Sequence, residues 1–247
     1  MKSPSALVIG GASGIGAALV TRYREMNVPV VVWDVIGDGN IRCDISEPSQ
    51  IDAALESTLA AHGLPHWVTI TAGVGHSGLL LDTTPEEWDR IMGINVRGPW
   101  LCMRAIAARM IEANQPGSII ATSSVSAHLV DRSMGTYCAS KAALSMTIRV
   151  AAAEWGPHAI RVNGIGPGVT KTPMLGGTPD HSPWLLGVAQ RTALQRLGEA
   201  DDIAEAIIAL HQMRWVTGQV MDCDGGLSLQ SPIDSYGTHS RTERPSR

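Results

Sequence analysis

Leu7-Val8-Ile9-Gly10-Gly11-Ala12-Ser13-Gly14-Ile15-Gly16-Ala17-Ala18-Leu19-Val20 decides the fold of this chain. Three apolar residues, enough for a buried strand, run into a glycine-rich turn, and residues of helical composition follow. Strand, glycine turn and helix in that order form the context a dinucleotide fingerprint requires. Gly10 lets the chain turn tightly, Gly14 lets backbone approach a pyrophosphate, and Gly16 lets helix and strand pack closely. The helix start then offers free N–H groups and the positive end of its dipole to phosphates.

The second strand extends this reading. Pro29-Val30-Val31-Val32-Trp33 ends in Asp34, eighteen residues after Gly16. An acidic residue there is placed to accept hydrogen bonds from an adenosine ribose and to repel a 2′-phosphate. Val35 and Ser13 supply no compensating positive charge, so NAD is expected in preference to NADP. Further on, Tyr137-Cys138-Ala139-Ser140-Lys141 sets a phenol and an ammonium four residues apart, on one face of a helix predicted over 136–155. A lysine beside a tyrosine favours the phenolate and lowers a pKa ordinarily about 10. Such a tyrosine can exchange a proton with a carbonyl or alcohol oxygen.

Apolar strand candidates alternate with helical stretches, which predicts an α/β fold: a single Rossmann-type, doubly wound parallel β-sheet with helices on both faces. Strands are expected at 40–44, 67–70, 118–124, 160–165 and 218–222. Helices are expected at 49–62, from Thr84-Pro85 to about 113 with a bend near Asn95, and at 202–211, while 170–191 reads as irregular. Ligands of open α/β sheets bind outside the C-terminal strand ends, and the residues singled out all fall at such ends. One domain is expected over 1–227, with a polar, flexible tail at 228–247.

At 247 residues the chain is long enough for a sizeable core. Its net charge of −4 gives no footprint for nucleic acid or an anionic membrane. Four dispersed cysteines form no CxxC pair, which implies no metal framework and a reducing, cytoplasmic compartment. No run approaches the length of a membrane span.

The glycine loop, Asp34, Asn95, Ser124, Tyr137-x-x-x-Lys141 and Pro167-Gly168 together resemble the short-chain dehydrogenase/reductase family, in order and spacing, from about Ala6 to Gly226. The resemblance implies an NAD-dependent oxidoreductase that interconverts a secondary alcohol and a ketone. It implies Tyr137 as general acid/base and Lys141 as its electrostatic partner and a ligand of the nicotinamide ribose. Ser124, thirteen residues before Tyr137, would donate to the substrate oxygen, and Asn95 would hold a relay water. The cofactor would be held by Gly10, Ser13, Gly14, Ile15, Gly16, Asp34, Asp44, Ile45, Ala72, Gly73, Tyr137, Lys141, Pro167, Gly168, Val169 and Thr172. The partner would be a small-molecule alcohol or ketone, with no metal, and the assembly a homotetramer or homodimer. Substrate recognition would fall to 75–77, to 125–134 with His128, and to a flap at 174–191 with Trp184. Two positions depart from the family pattern: Ile9 stands for its Thr, and Thr71 for the Asn before Ala72-Gly73. Both family residues are thought to brace strand ends, so that bracing is in doubt here. The alternatives are an NADPH-linked reductase, disfavoured by Asp34, and a non-catalytic nucleotide-binding regulator, which has no need of all four catalytic residues. Nucleotide-sugar dehydratases or epimerases normally carry a longer C-terminal substrate domain.

Overall fold

The computed structural model describes residues 4–37 and 39–229. Seven parallel strands form one sheet in the order β3-β2-β1-β4-β5-β6-β9. The strands are β1 (Ala6–Ile9), β2 (Val30–Asp34), β3 (Ile41–Arg42), β4 (Trp67–Ile70), β5 (Gly117–Thr122), β6 (Ile160–Pro167) and β9 (Val220–Cys223). A separate two-stranded pair joins β7 (Thr170–Lys171) to β8 (Gly198–Glu199). The order reverses between β1 and β4, which opens a crevice at the C-terminal edge.

Each face of the sheet carries its own core. One holds Leu7, Ile9, Val68, Ile70, Ile119 and Val162 under α2 (Pro48–His62), α4 (Gly98–Glu112) and α5 (Gly135–Trp155). The other holds Val8, Val32, Ile120 and Ile165 under α1 (Gly14–Glu25) and α7 (Ala200–Gln212). Adjacent strand residues point to opposite faces, so β1 is apolar throughout and buried on both sides.

The expected bend near Asn95 is a π-turn, Gly93–Arg97, inserted between α3 (Pro85–Met92) and α4. Thr84 opens α3 by accepting from Glu87 N, as its Thr-Pro start suggests. The expectation of an irregular 170–191 is corrected, because it contains β7 and a helix, α6 (Pro183–Arg191). Ser182 caps α6 by accepting from Leu185 N, and Leu185 is its buried anchor. Most of the tail expected at 228–247 lies outside the described residues.

Thr71 resolves the doubt about bracing. Its hydroxyl lies 3.1 Å from Ile9 O and 2.9 Å from Gly10 O, which ties the end of β4 to the glycine turn. Gly10, at φ +88°, passes so close that a Cβ there would fall 2.5 Å from Ala72 N. A Cβ at Gly16 would fall 2.1 Å from Gly10 O. Both positions therefore require glycine for space, and Gly10 also for its dihedral.

A buried polar cluster fastens α7 to the sheet. The His211 ring bonds the hydroxyls of Thr69 and Ser118, each at 2.9 Å, and stacks on Trp67. Burial, with Arg161 adding a smaller push, drives its pKa down to about 3.

Two expectations follow. His211 stays neutral in the fold, whereas the unfolded chain takes a proton below about pH 6.5. Stability should therefore fall as pH drops from about 6.5 toward 3, and urea midpoints of His211→Gln should show a flatter slope over that window. Thr71→Val should cost about 1–2 kcal/mol in urea unfolding, while Thr71→Ser, which keeps the hydroxyl, should cost well under half of that.

Candidate active site

The C-terminal strand ends bring most of the expected residues to one crevice. On the nucleotide side, Ser13 is the N-cap of α1, yet its side chain makes no cap bond, so it does not occupy the helix's first N–H groups. Asp34 at the end of β2 accepts from Ala12 N through Oδ2 (2.9 Å) and from Ile36 N through Oδ1 (3.1 Å). The acidic group is thus fixed against the glycine turn. Arg42 is its register partner on β3, a neighbour that sequence proximity to Asp34 did not reveal.

Asp44 Oδ1 accepts from Ser46 N and Ser46 Oγ, at 2.9 and 2.8 Å. The side chain of Ile45 is buried, with Gly98 packed on it so closely that a Cβ there would fall 2.8 Å from Ile45 Cγ1. Only the backbone of Ile45 is left for a ligand. A cradle closed to side chains at Gly10 and Gly16, an uncapped helix start and a fixed carboxylate form a donor and acceptor set that fits a dinucleotide.

On the far side, Gly168 N donates to Cys223 O, and the Val169 carbonyl accepts from Gly198 N. Thr172 lies against the glycine turn: a Cβ at Gly14 would meet its Cβ at 3.4 Å. The segment after Pro167 therefore reaches back across the crevice.

Three serines cluster where β5 ends, and hydrogen bonding sorts them. Ser123 donates to Lys141 O (3.2 Å) and pairs with Ser145 (2.7 Å). Ser126 donates to Asp131. Ser124 accepts from Ser126 N at 3.1 Å, which leaves its hydroxyl hydrogen for the Tyr137 phenol. That orients Ser124 as a donor toward Tyr137, with which it shares this part of the site.

Lys141 is fully enclosed. Its Nζ donates to Thr122 O (2.8 Å) and lies 5.6 Å from the centre of the Tyr137 ring. Desolvation lowers its pKa to about 8. The expectation that Lys141 depresses the Tyr137 pKa needs correction for the chain alone. Burial pushes the Tyr137 phenol above its ordinary value, and the Ser124 hydroxyl is the group that opposes this. Lys141 points its ammonium at a carbonyl and is itself paying for desolvation.

Asn95 is completely buried. Its Oδ1 accepts from Val74 N, and its amide hydrogens go to Val74 O (2.9 Å) and Ser140 Oγ (3.1 Å). Ser140 in turn donates to Tyr137 O at 2.7 Å. With both side-chain hydrogens committed, Asn95 would hold a water through its remaining acceptors. Ser140 was not singled out in the sequence, because 45 residues separate it from Asn95.

Gly73 brings these groups together: a Cβ there would lie 3.2 Å from Asn95 Oδ1 and 3.5 Å from Lys141 Nζ. His76, three residues on, bonds Glu87 at 2.9 Å, and Glu87 also pairs with Arg90. His128 is half exposed and meets Asp222 at 3.1 Å. No described helix is long and apolar enough to cross a membrane.

Comparisons with known proteins agree with this arrangement. A family model described as enoyl-(acyl carrier protein) reductase matches residues 10–228. A 2,5-dichloro-2,5-cyclohexadiene-1,4-diol dehydrogenase of Sphingobium indicum is 33% identical over 242 residues, covering 90% of this chain and 96% of the relative. A 3-alpha-(or 20-beta)-hydroxysteroid dehydrogenase of Mycobacterium tuberculosis is 30% identical over 255 residues, covering 97% and 95%. Among solved structures, a 3-ketoacyl-(acyl-carrier-protein) reductase from Brucella melitensis complexed with NADH is 30% identical, with a TM-score of 0.83 over 91% of this chain and 98% of that one. The chain therefore belongs to the short-chain dehydrogenase/reductase family of oxidoreductases.

Proposed function

We propose that this protein is an NAD-dependent dehydrogenase that interconverts a secondary alcohol and a ketone, with Tyr137 as general acid/base. The observation that carries the reading is the buried group of Ser124, Tyr137 and Lys141, in which Ser124, alone of the three serines after β5, directs its hydroxyl at the Tyr137 phenol. The two relatives with dehydrogenase names support an alcohol as substrate, and the NADH complex of the Brucella protein supports a nicotinamide cofactor.

Gly10, Ser13, Gly14, Ile15 and Gly16 would hold the pyrophosphate, and Asp34 the adenosine ribose. Asp44 and the backbone of Ile45 would flank the adenine. Ala72, Gly73, Pro167, Gly168, Val169 and Thr172 would enclose the nicotinamide end. When bound, the nicotinamide supplies the hydride acceptor for oxidation or donor for reduction. Ser124 donates to the substrate oxygen and fixes its position. In oxidation Tyr137 Oη takes the hydroxyl proton, and in reduction it returns one. Lys141, held by Thr122 O, places positive charge near the forming phenolate. Asn95, anchored on Val74 and Ser140, keeps the turn of Tyr137 in register with the loop after β4.

A second reading has one observation in its favour. Arg42 stands opposite Asp34 on β3, where a guanidinium can meet a 2′-phosphate. NAD is preferred because Asp34 is anchored at the glycine turn and would face that phosphate. We further infer a cytoplasmic homotetramer or homodimer built on one domain over 1–227. The half-exposed Trp100 on α4 and Met146 and Val150 on α5 would be covered in the assembly, and light scattering after size exclusion tests this.

Tyr137→Phe should lower kcat for NAD⁺-linked oxidation of secondary alcohols by at least about 100-fold while NAD⁺ still binds. Turnover that survives would remove Tyr137 from the chemistry. Because burial raises the Tyr137 phenol, the oxidation rate should climb through the alkaline range. For the cofactor, Asp34→Ala should raise kcat/KM with NADP⁺ relative to NAD⁺. Adding Arg42→Ala should cancel part of the gain, and an unchanged ratio in both variants would mean the ribose lies elsewhere.

A further inference from the structure

The loop after β4 runs across the front of the proposed site and meets two other segments there. It leaves Gly73 beside Lys141 and passes under the flap at Gly75, where a Cβ would lie 3.7 Å from Met174 Cγ. At Gly78 its N–H donates to Ser133 O at 2.7 Å, which ties it to the approach to α5. Leu80 then lies directly on Gly135, two residues before Tyr137: a Cβ at Gly135 would fall 2.5 Å from Leu80 Cγ. Three separate stretches of chain thus converge on the mouth of the crevice.

These stretches leave several large apolar side chains in solvent. Leu79 is 50% exposed, Leu80 64%, Leu81 95%, Val130 96%, and Met174 and Trp184 each 53%. Apolar side chains gathered at the rim of a cleft mark a binding surface more often than a solvated one. Most charged groups nearby are already engaged. Lys171 is paired with Glu199 (2.8 Å) and Asp180 (3.7 Å), Asp131 accepts from Ser126, and His128 meets Asp222. Arg132, and Arg191 at the end of α6, are exposed cations of these stretches with no ion pair among those of the described residues.

We propose that the site takes a bulky, uncharged secondary alcohol whose hydrocarbon body rests on Leu80 and Met174 while its carbinol carbon enters between Ser124 and Tyr137. This rests on the dehydrogenase reading given above.

The test measures kcat/KM for NAD⁺-linked oxidation of propan-2-ol, butan-2-ol, hexan-2-ol and octan-2-ol. In parallel, calorimetry measures binding of the matching 2-ketones to the protein with NADH. Each methylene that is buried should raise kcat/KM by about fourfold, mainly through KM. Leu80→Ser and Met174→Ser should each cut the octan-2-ol to propan-2-ol ratio at least tenfold. Trp215→Ser, which alters a fully exposed residue on the turn leading to β9, should leave that ratio unchanged. A flat series in both turnover and binding overturns the proposal, as does a preference for 4-hydroxypentanoate over hexan-2-ol, which would assign recognition to Arg132 or Arg191. If no alcohol is oxidised but ketone binding still strengthens with chain length, the dehydrogenase reading fails and the apolar site stands.

Discussion

The crevice exists because backbone meets backbone where the glycine turn lies on the end of β4. Gly10 and Gly16 leave no room for a Cβ, and the Thr71 hydroxyl bridges to Ile9 O and Gly10 O. That contact sets how far α1 stands from the sheet and where its free N–H groups point. It also aligns Ala72 and Gly73 with the end of β1, and Gly73 in turn lies against Asn95 and Lys141. The nucleotide half and the chemical half are therefore positioned by one junction. Thr71 is smaller than the asparagine of the family pattern, and it serves because its hydroxyl reaches both carbonyls at once.

Around that junction the site places a charge where water cannot follow. Lys141 is enclosed, keeps one carbonyl partner, and has its pKa lowered to about 8. Tyr137 is pushed the other way by the same burial. Desolvation thus drives the two groups' proton affinities apart, since the lysine loses its proton more easily and the phenol less easily. A ligand that adds positive charge beside the phenol would favour the phenolate, which makes proton exchange at Tyr137 dependent on the occupied site.

Much of this was legible in the sequence for local reasons. Buried parallel strands read as short apolar runs, as at Leu7-Val8-Ile9 and Trp67-Val68-Thr69-Ile70, because both faces of each strand are covered. Thr84-Pro85 announced a helix start through its cap. The Ser182-Pro183 pair carried the same signal for α6, but the surrounding Gly and Pro residues masked it. The direction of the Tyr137 shift was misread because i,i+4 spacing states proximity and says nothing of solvent.

The sequence by itself determined the strand–turn–helix unit, the identity of the residues at the strand ends and the Tyr137–Lys141 spacing, all set by chemistry within a few residues. Only the tertiary structure decided that of three serines it is Ser124 whose hydroxyl meets Tyr137, that Arg42 stands opposite Asp34, that Asn95 is tied to Tyr137 through Ser140, and that Thr71 clasps the glycine turn. Each of these depends on strand register or helix packing between distant segments. A linear pattern carries no distance across the sheet.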